Sequence, residues 1–171
     1  MTLSQSRRSI GITTALGTDA LVLNSFEFSE KLGGPFELSA ELSATKLNLD
    51  YAKIVGHPAG IRLKTPGGST RYFHGVVSRL VQTGSQGGLA RYRATIIPWL
   101  WFLTRTSDCR IFQHRKVLEI VEEVFNNHRF GSDHYSIKTS GKDPERSYCV
   151  QYRETDFNFV SRLFENEGIY Y

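Results

Sequence analysis

The feature that most constrains this chain is a change of hydrophobic period near its middle. Phe36, Leu38, Ala40 and Leu42 alternate with Glu37, Ser39, Glu41 and Ser43. Successive strand residues point to opposite faces, so the pattern is a strand with one wet side. Residues 25–29 alternate likewise, with Phe26 and Phe28 on one side and a predicted loop at 31–35. Residues 61–65 alternate, meet Pro66-Gly67-Gly68, and are followed by a predicted strand from 70 to 82, which reads as a hairpin. Gly75 inside its second arm predicts a bulge or a sharp bend. Residues 83–89 read as a Gly/Ser/Gln loop, 90–97 as a strand closed by Pro98, and 46–54 as a short helical turn. Short strands with glycine turns predict a small antiparallel β-barrel over residues 1–105.

Beyond this point the period lengthens. Val117, Ile120, Val121, Val124 and Phe125 fall at the spacing of one helix face, with Glu119, Glu122 and Glu123 off it. A strand is predicted around 135–138 and another at 148–152. Thr155 is a predicted N-cap with Asp156 in the first turn, and Phe157, Val160, Leu163 and Phe164 form the apolar stripe. Gly168 suits a left-handed helix end, and residues 169–171 read as a strand just begun, from which a fragment of a longer protein is expected. The fold class expected is mainly β with some α (α+β). The barrel of 1–105 is followed by 106–171, the start of a mixed α/β region.

Charge narrows the partners. The net charge is +4, made of +6 over residues 1–105 and −2 over 106–171. The basic excess is scattered, and Arg7-Arg8 is its longest cluster, so a solvated surface explains it better than a nucleic-acid stripe. Cys109 and Cys149 cannot form a disulfide framework and read as reduced thiols of a protein folded in the cytoplasm. No apolar run follows Arg7-Arg8 as a signal peptide requires, and no stretch approaches the roughly 18 apolar residues of a membrane helix.

No catalytic, cofactor-binding or metal-binding set emerges. His57, His74, His114, His128 and His134 are dispersed, and the two cysteines form no Cys-x-x-Cys. His128, Asp133 and His134 flank one loop without ligand spacing. Ser132-Asp133-His134 holds the residue types of a hydrolytic triad, but loop neighbours seldom face one another. Glu119, Glu122 and Glu123, and also Glu165 and Glu167, fall on wet faces, where nothing raises a carboxyl pKa for acid–base work. Residues 11–17 lack a phosphate-loop Lys, and 84–88 read as a hairpin loop. Trp99, Trp101 and Phe102 beside Arg91, Arg93 and Arg105 suit base stacking or a buried core or interface. The continuous apolar run after Pro98 favours the second.

Four ordered blocks carry a resemblance. Residues 148–163, Tyr-Cys-Val-Gln-Tyr-Arg-Glu-Thr-Asp-Phe-Asn-Phe-Val-Ser-Arg-Leu, continue through Glu165, Glu167, Gly168, Ile169 and Tyr170. Upstream stand 98–105 with 108–113, 71–77 and 32–36. Together they resemble the N-terminal, phage-hub-like part of the VgrG family of type VI secretion spike proteins. The chain is shorter than that family's members, which continue into a further barrel and a β-helical needle. The resemblance implies a structural role and no enzyme activity. It implies a homotrimer in the full-length protein, docking on the Hcp tube beside baseplate components, and delivery of effector proteins. It also implies assembly in the cytoplasm and then secretion through the type VI system without a signal peptide. It implies no nucleic-acid partner and no stable membrane insertion by this segment. Alternatives are a tail hub of a contractile phage and, from another class, a basic β-barrel that binds single-stranded nucleic acid. The isolated segment is expected to be monomeric or weakly associated.

Overall fold

A computed structural model describes residues 3–129 and 134–171. The chain divides into two compact units. The first runs to Lys31 and includes Pro35–Pro98; the second comprises Leu32–Gly34 and Trp99–Tyr171.

The first unit is a six-stranded antiparallel sheet. Its strands are β1 (Ile10–Thr14), β2 (Val22–Ser29), β3 (Glu37–Ala44), β4 (Pro58–Lys64), β5 (Thr70–Gln86) and β6 (Leu89–Ile97). The order across the sheet is β1-β4-β5-β6-β3-β2. Registers Leu38↔Ile96, Ala40↔Ala94, Leu42↔Tyr92 and Ala44↔Ala90 place the predicted apolar face of β3 over that of β6, and all eight residues are buried. Facing alanines leave room for Tyr92, which is fully buried and donates its hydroxyl to the Leu47 carbonyl at 2.6 Å. Burial raises the pKa of that phenol and keeps it a donor.

The sheet curls strongly. Phe26 and Phe28 of β2 lie 5.4 and 4.8 Å from Phe73 of β5, ring centre to ring centre. These strands stand three places apart in the order, a gap of about 14 Å in a flat sheet. Curling brings both ends of the order around one core, to form a half-barrel.

Gly75 permits the bend without being a bulge. A Cβ there would lie 2.5 Å from the Ile97 carbonyl oxygen and 2.7 Å from Ile96 Cγ2. The register breaks come later, between Val77 and Arg79 and between Gln82 and Gly84. The expected loop at 83–89 is mostly strand. β5 continues to Gln86, and Gly87 and Gly88, both at positive φ, make the turn. Two consecutive residues at positive φ match the twist of a tight hairpin, so no longer loop is needed. The predicted turn at 46–54 holds a short 3₁₀ helix, Tyr51–Lys53, capped by the Asp50 carboxylate on the Ala52 N–H at 3.2 Å.

The second unit pairs β7 (Ser107–Arg115) with β8 (Arg146–Thr155) as an antiparallel ribbon. Helices α1 (Val117–Asn127) and α2 (Asp156–Glu167) pack with it, preceded by the 3₁₀ segment Trp99–Arg105. Phe112 and Cys149 of the ribbon face Val121, Val124, Phe159 and Leu163 in a separate core. The stripe predicted for α1 is the buried one. Asp143, far along the chain, accepts from the Val117 and Leu118 N–H groups at 3.1 and 3.3 Å and caps that helix. Thr155 caps α2 through Asn158 N–H at 3.1 Å, and Gly168 closes it at φ +68.

Two predicted strands do not form. Residues 135–138 are irregular: Tyr135 spends its ring on Phe125 and Trp99, at 5.0 and 6.1 Å, rather than joining a ladder. Residues 169–171 are also irregular. Ile169 packs on the second core, and the Tyr171 carbonyl accepts from Gly33 N–H at 3.0 Å.

Candidate functional site

Among the described residues a densely bonded polar group is Asp156, which is 1% exposed at the first position of α2. Its Oδ1 accepts from Arg110 Nη2 at 2.9 Å and Gln151 Nε2 at 2.7 Å. Its Oδ2 accepts from Thr106 Oγ1 at 2.9 Å and faces His128 Nε2 at 2.6 Å. Thr106 precedes β7, Arg110 lies within it, His128 ends α1, and Gln151 lies in β8. One carboxylate at the start of α2 therefore ties together both strands and the end of α1. Burial alone would raise its pKa. Hydrogen bonds from Gln151, His128 and Thr106 with the Arg110 charge outweigh burial and hold the carboxyl below the ordinary carboxylate value. Both oxygens are saturated and shielded, so the group acts as a fastening rather than as an acid or base.

The outer face of the ribbon differs. Cross-strand pairs Cys109↔Tyr152, Ile111↔Val150 and Gln113↔Tyr148 line it. Ile111, Tyr148 and Tyr152 are 63%, 56% and 65% exposed. Arg153, at φ +51, leaves the ladder and lays its guanidinium over Tyr152 at 5.3 Å. A contiguous exposed apolar face is what interaction surfaces carry.

The other candidate residues are scattered. His57 and His74 are exposed on the first unit, where the His74 ring stacks on Tyr72 at 6.1 Å. His114 meets Glu145 at 3.0 Å, and the His134 carbonyl accepts from Trp99. Ser132 and Asp133 lie outside the described residues. Glu119 bonds Lys116 N–H, Glu123 pairs with Arg115, Glu167 pairs with Arg146, and Glu122 and Glu165 are exposed. Among the described residues no group of three His, Cys, Asp or Glu side chains could hold a metal ion. Arg93 pairs with Glu41, Arg91 bonds Ser43 and Gln86, and Arg105 lies over Trp101 at 5.4 Å. Trp99 joins the second core against Phe125 at 5.0 Å. Cys109 points outward and Cys149 inward, so the ribbon itself separates the two thiols.

A family model for the phage tail baseplate hub (GPD) matches residues 29–171. The chain belongs to that hub family. It is 46% identical over its whole length to the type VI secretion system spike protein VgrG1c of Pseudomonas aeruginosa. It is 44% identical, again over its whole length, to VgrG1b of the same organism. It spans 23% of the length of each. Among solved structures it is similar to the E. coli c3393 protein. That protein is described as a type VI secretion component similar in structure to the bacteriophage T4 tail proteins gp27 and gp5. The TM-score is 0.75 at 25% identity, with 84% of this chain and 39% of that one covered. A tail protein from Neisseria meningitidis shares the fold alone, at TM-score 0.64 and 10% identity, over 94% of this chain and 45% of that one. These hub and spike relatives support a structural role for the chain.

Sequence reasoning placed Asp156 in a first helical turn and missed its burial. The available signal was Gln151, a polar residue on the inward phase of a strand, five positions earlier. The ribbon's exposed face was also missed, because β7 was not predicted.

Proposed function

We propose that the chain is a hub segment of a type VI puncturing device. In the full-length protein it trimerises, docks on the Hcp tube beside the baseplate and helps carry effectors out of the cell without a cleaved signal peptide. The observation that carries this reading is similarity to VgrG spike proteins over every residue of the chain. The exposed ribbon face supports it, since an assembly component must offer apolar surface to its neighbours. In this reading residues 1–105 serve as the first hub barrel and 106–171 as the adjoining α/β part. A tail hub of a contractile phage is the nearest alternative, favoured by the matching family model, which describes a phage tail baseplate hub.

Pull-down against the Hcp protein of the same genome, with a random single-stranded oligonucleotide as competitor, tests the reading. Capture of Hcp by the full-length protein, unmoved by oligonucleotide, supports it. Failure to capture Hcp, with oligonucleotide retained in a steeply salt-dependent way, replaces it with a nucleic-acid-binding barrel.

A further inference from the structure

We propose that the seam of the half-barrel receives an extended, basic segment of a partner protein, which adds as a strand to the free edge of β2. This goes beyond the hub reading and does not depend on it.

The seam lies between the end strands β1 and β2. Near Leu21 it is sealed by a side chain. Gln5, 8% exposed, accepts from Ile12 N–H at 2.9 Å and donates to the Ile12 and Leu21 carbonyls at 2.6 and 3.4 Å. Its carboxamide replaces one rung of a ladder. Farther along, nothing similar exists. Residues 26–29 pair with β3 and, among the described residues, have no other backbone hydrogen bond. Alternate N–H and C=O groups of such a strand point away from its single partner. Natural free edges are usually blunted by Lys, Pro or a bulge. Here the one register break falls earlier, between Leu23 and Ser25, and residues 25–29 read Ser-Phe-Glu-Phe-Ser.

The side chains define the guest. On the inner side, Phe26, Phe28, Phe36 and Phe73 form a chain of ring contacts from 4.8 to 5.4 Å, and all four are only half-buried. On the outer side stand Glu27, Glu37 and Glu41, with Glu30 in the loop that follows β2. Glu41 is neutralised by Arg93 at 2.6 Å. Glu27, Glu30 and Glu37 have no cation partner among the described residues; the other acids of the unit, Asp19 and Asp50, are already bonded. Lys31 and Arg71, which lies over Phe73 at 5.1 Å, are the nearby cations. A strand added to β2 therefore turns one face to aromatic rings and the other to unpaired carboxylates. The matching sequence alternates apolar with Lys or Arg, and main-chain hydrogen bonds supply the common part of the affinity.

The test uses the 171-residue chain and a dye-labelled octapeptide of alternating Lys and Val. Companion peptides alternate Glu and Val, or carry N-methyl groups at every second residue in either phase. Expected are saturable anisotropy with the Lys/Val peptide, amide-exchange protection confined to residues 26–29, and loss of binding in one methylated phase. The surface variant Glu27→Lys/Glu37→Lys should keep the fold and weaken the Lys/Val peptide by about tenfold while improving the Glu/Val peptide. Absence of saturable binding up to about 1 mM overturns the proposal. So do undiminished binding of both methylated phases, protection mapping elsewhere, or indifference to the charge reversal. Hcp capture is read separately, so either idea can fail alone.

Discussion

Asp156 and Gly75 show how single atoms set the limits of this fold. Replacing Asp156 by Asn keeps the shape but turns an amide NH₂ toward groups that already donate. The expected loss is roughly 2–4 kcal/mol in urea unfolding. The pH dependence follows from the depressed pKa. A carboxylate whose folded pKa lies below its unfolded value of about 3.9 stabilises fully above that value, and the gain disappears as pH falls through the folded pKa. The parent chain should therefore lose stability steeply below about pH 4, and Asp156→Asn should flatten that limb. Gly75→Ala drives a methyl into the Ile97 carbonyl oxygen, which belongs to the adjacent strand and cannot rotate aside. It should cost about 1–3 kcal/mol, read as a drop in Tm with the far-ultraviolet spectrum retained. Gly75 was legible in the sequence because a glycine inside a strand needs a cause. Asp156 was not, because a Thr-Asp pair at a helix start looks the same whether the Asp faces water or four donors.

The helices were the most legible elements. Both carry an apolar stripe at helical spacing, although on α2 the fully buried ring is Phe159 while Phe157, read into the stripe, is half-buried; α2 also has the sequence-adjacent cap that its pattern announces. Thr155→Ala should cost about 1 kcal/mol of stability, and a Ser replacement should recover most of it. The cap of α1 was hidden, since Asp143 sits 26 positions from Val117. Asp143→Ala should lower stability by about 0.5–2 kcal/mol, with amide exchange accelerated first at Val117 and Leu118. Strands were read well where one face is wet and the other buried, as in β3. They were missed where the alternation is broken. β1 is five residues holding a glycine, and β7 has exposed Ile111 in place of a polar residue on its outer phase.

At the scale of the molecule, the period change near the middle of the chain announced a mainly β fold with some α, and the described residues form two separate cores. What it could not announce were long-range closures: Gln5 on Leu21, Asp143 on α1, and the ribbon that turns Cys109 outward and Cys149 inward. That last arrangement is directly measurable. Mass spectrometry after brief native exposure to iodoacetamide should find one adduct, on Cys109, and a second on Cys149 only in denaturant. The Gln5 closure has a mechanical meaning. Along its sealed stretch the seam is joined by one side chain rather than by a full ladder, so load applied through the first residues reaches that carboxamide before it reaches β1. Pulled from that end, the barrel should open like a zip released at its slider, at low force and in an early discrete step. Pulled across the continuous ladder of β5 and β6, it should resist as a sheared sheet.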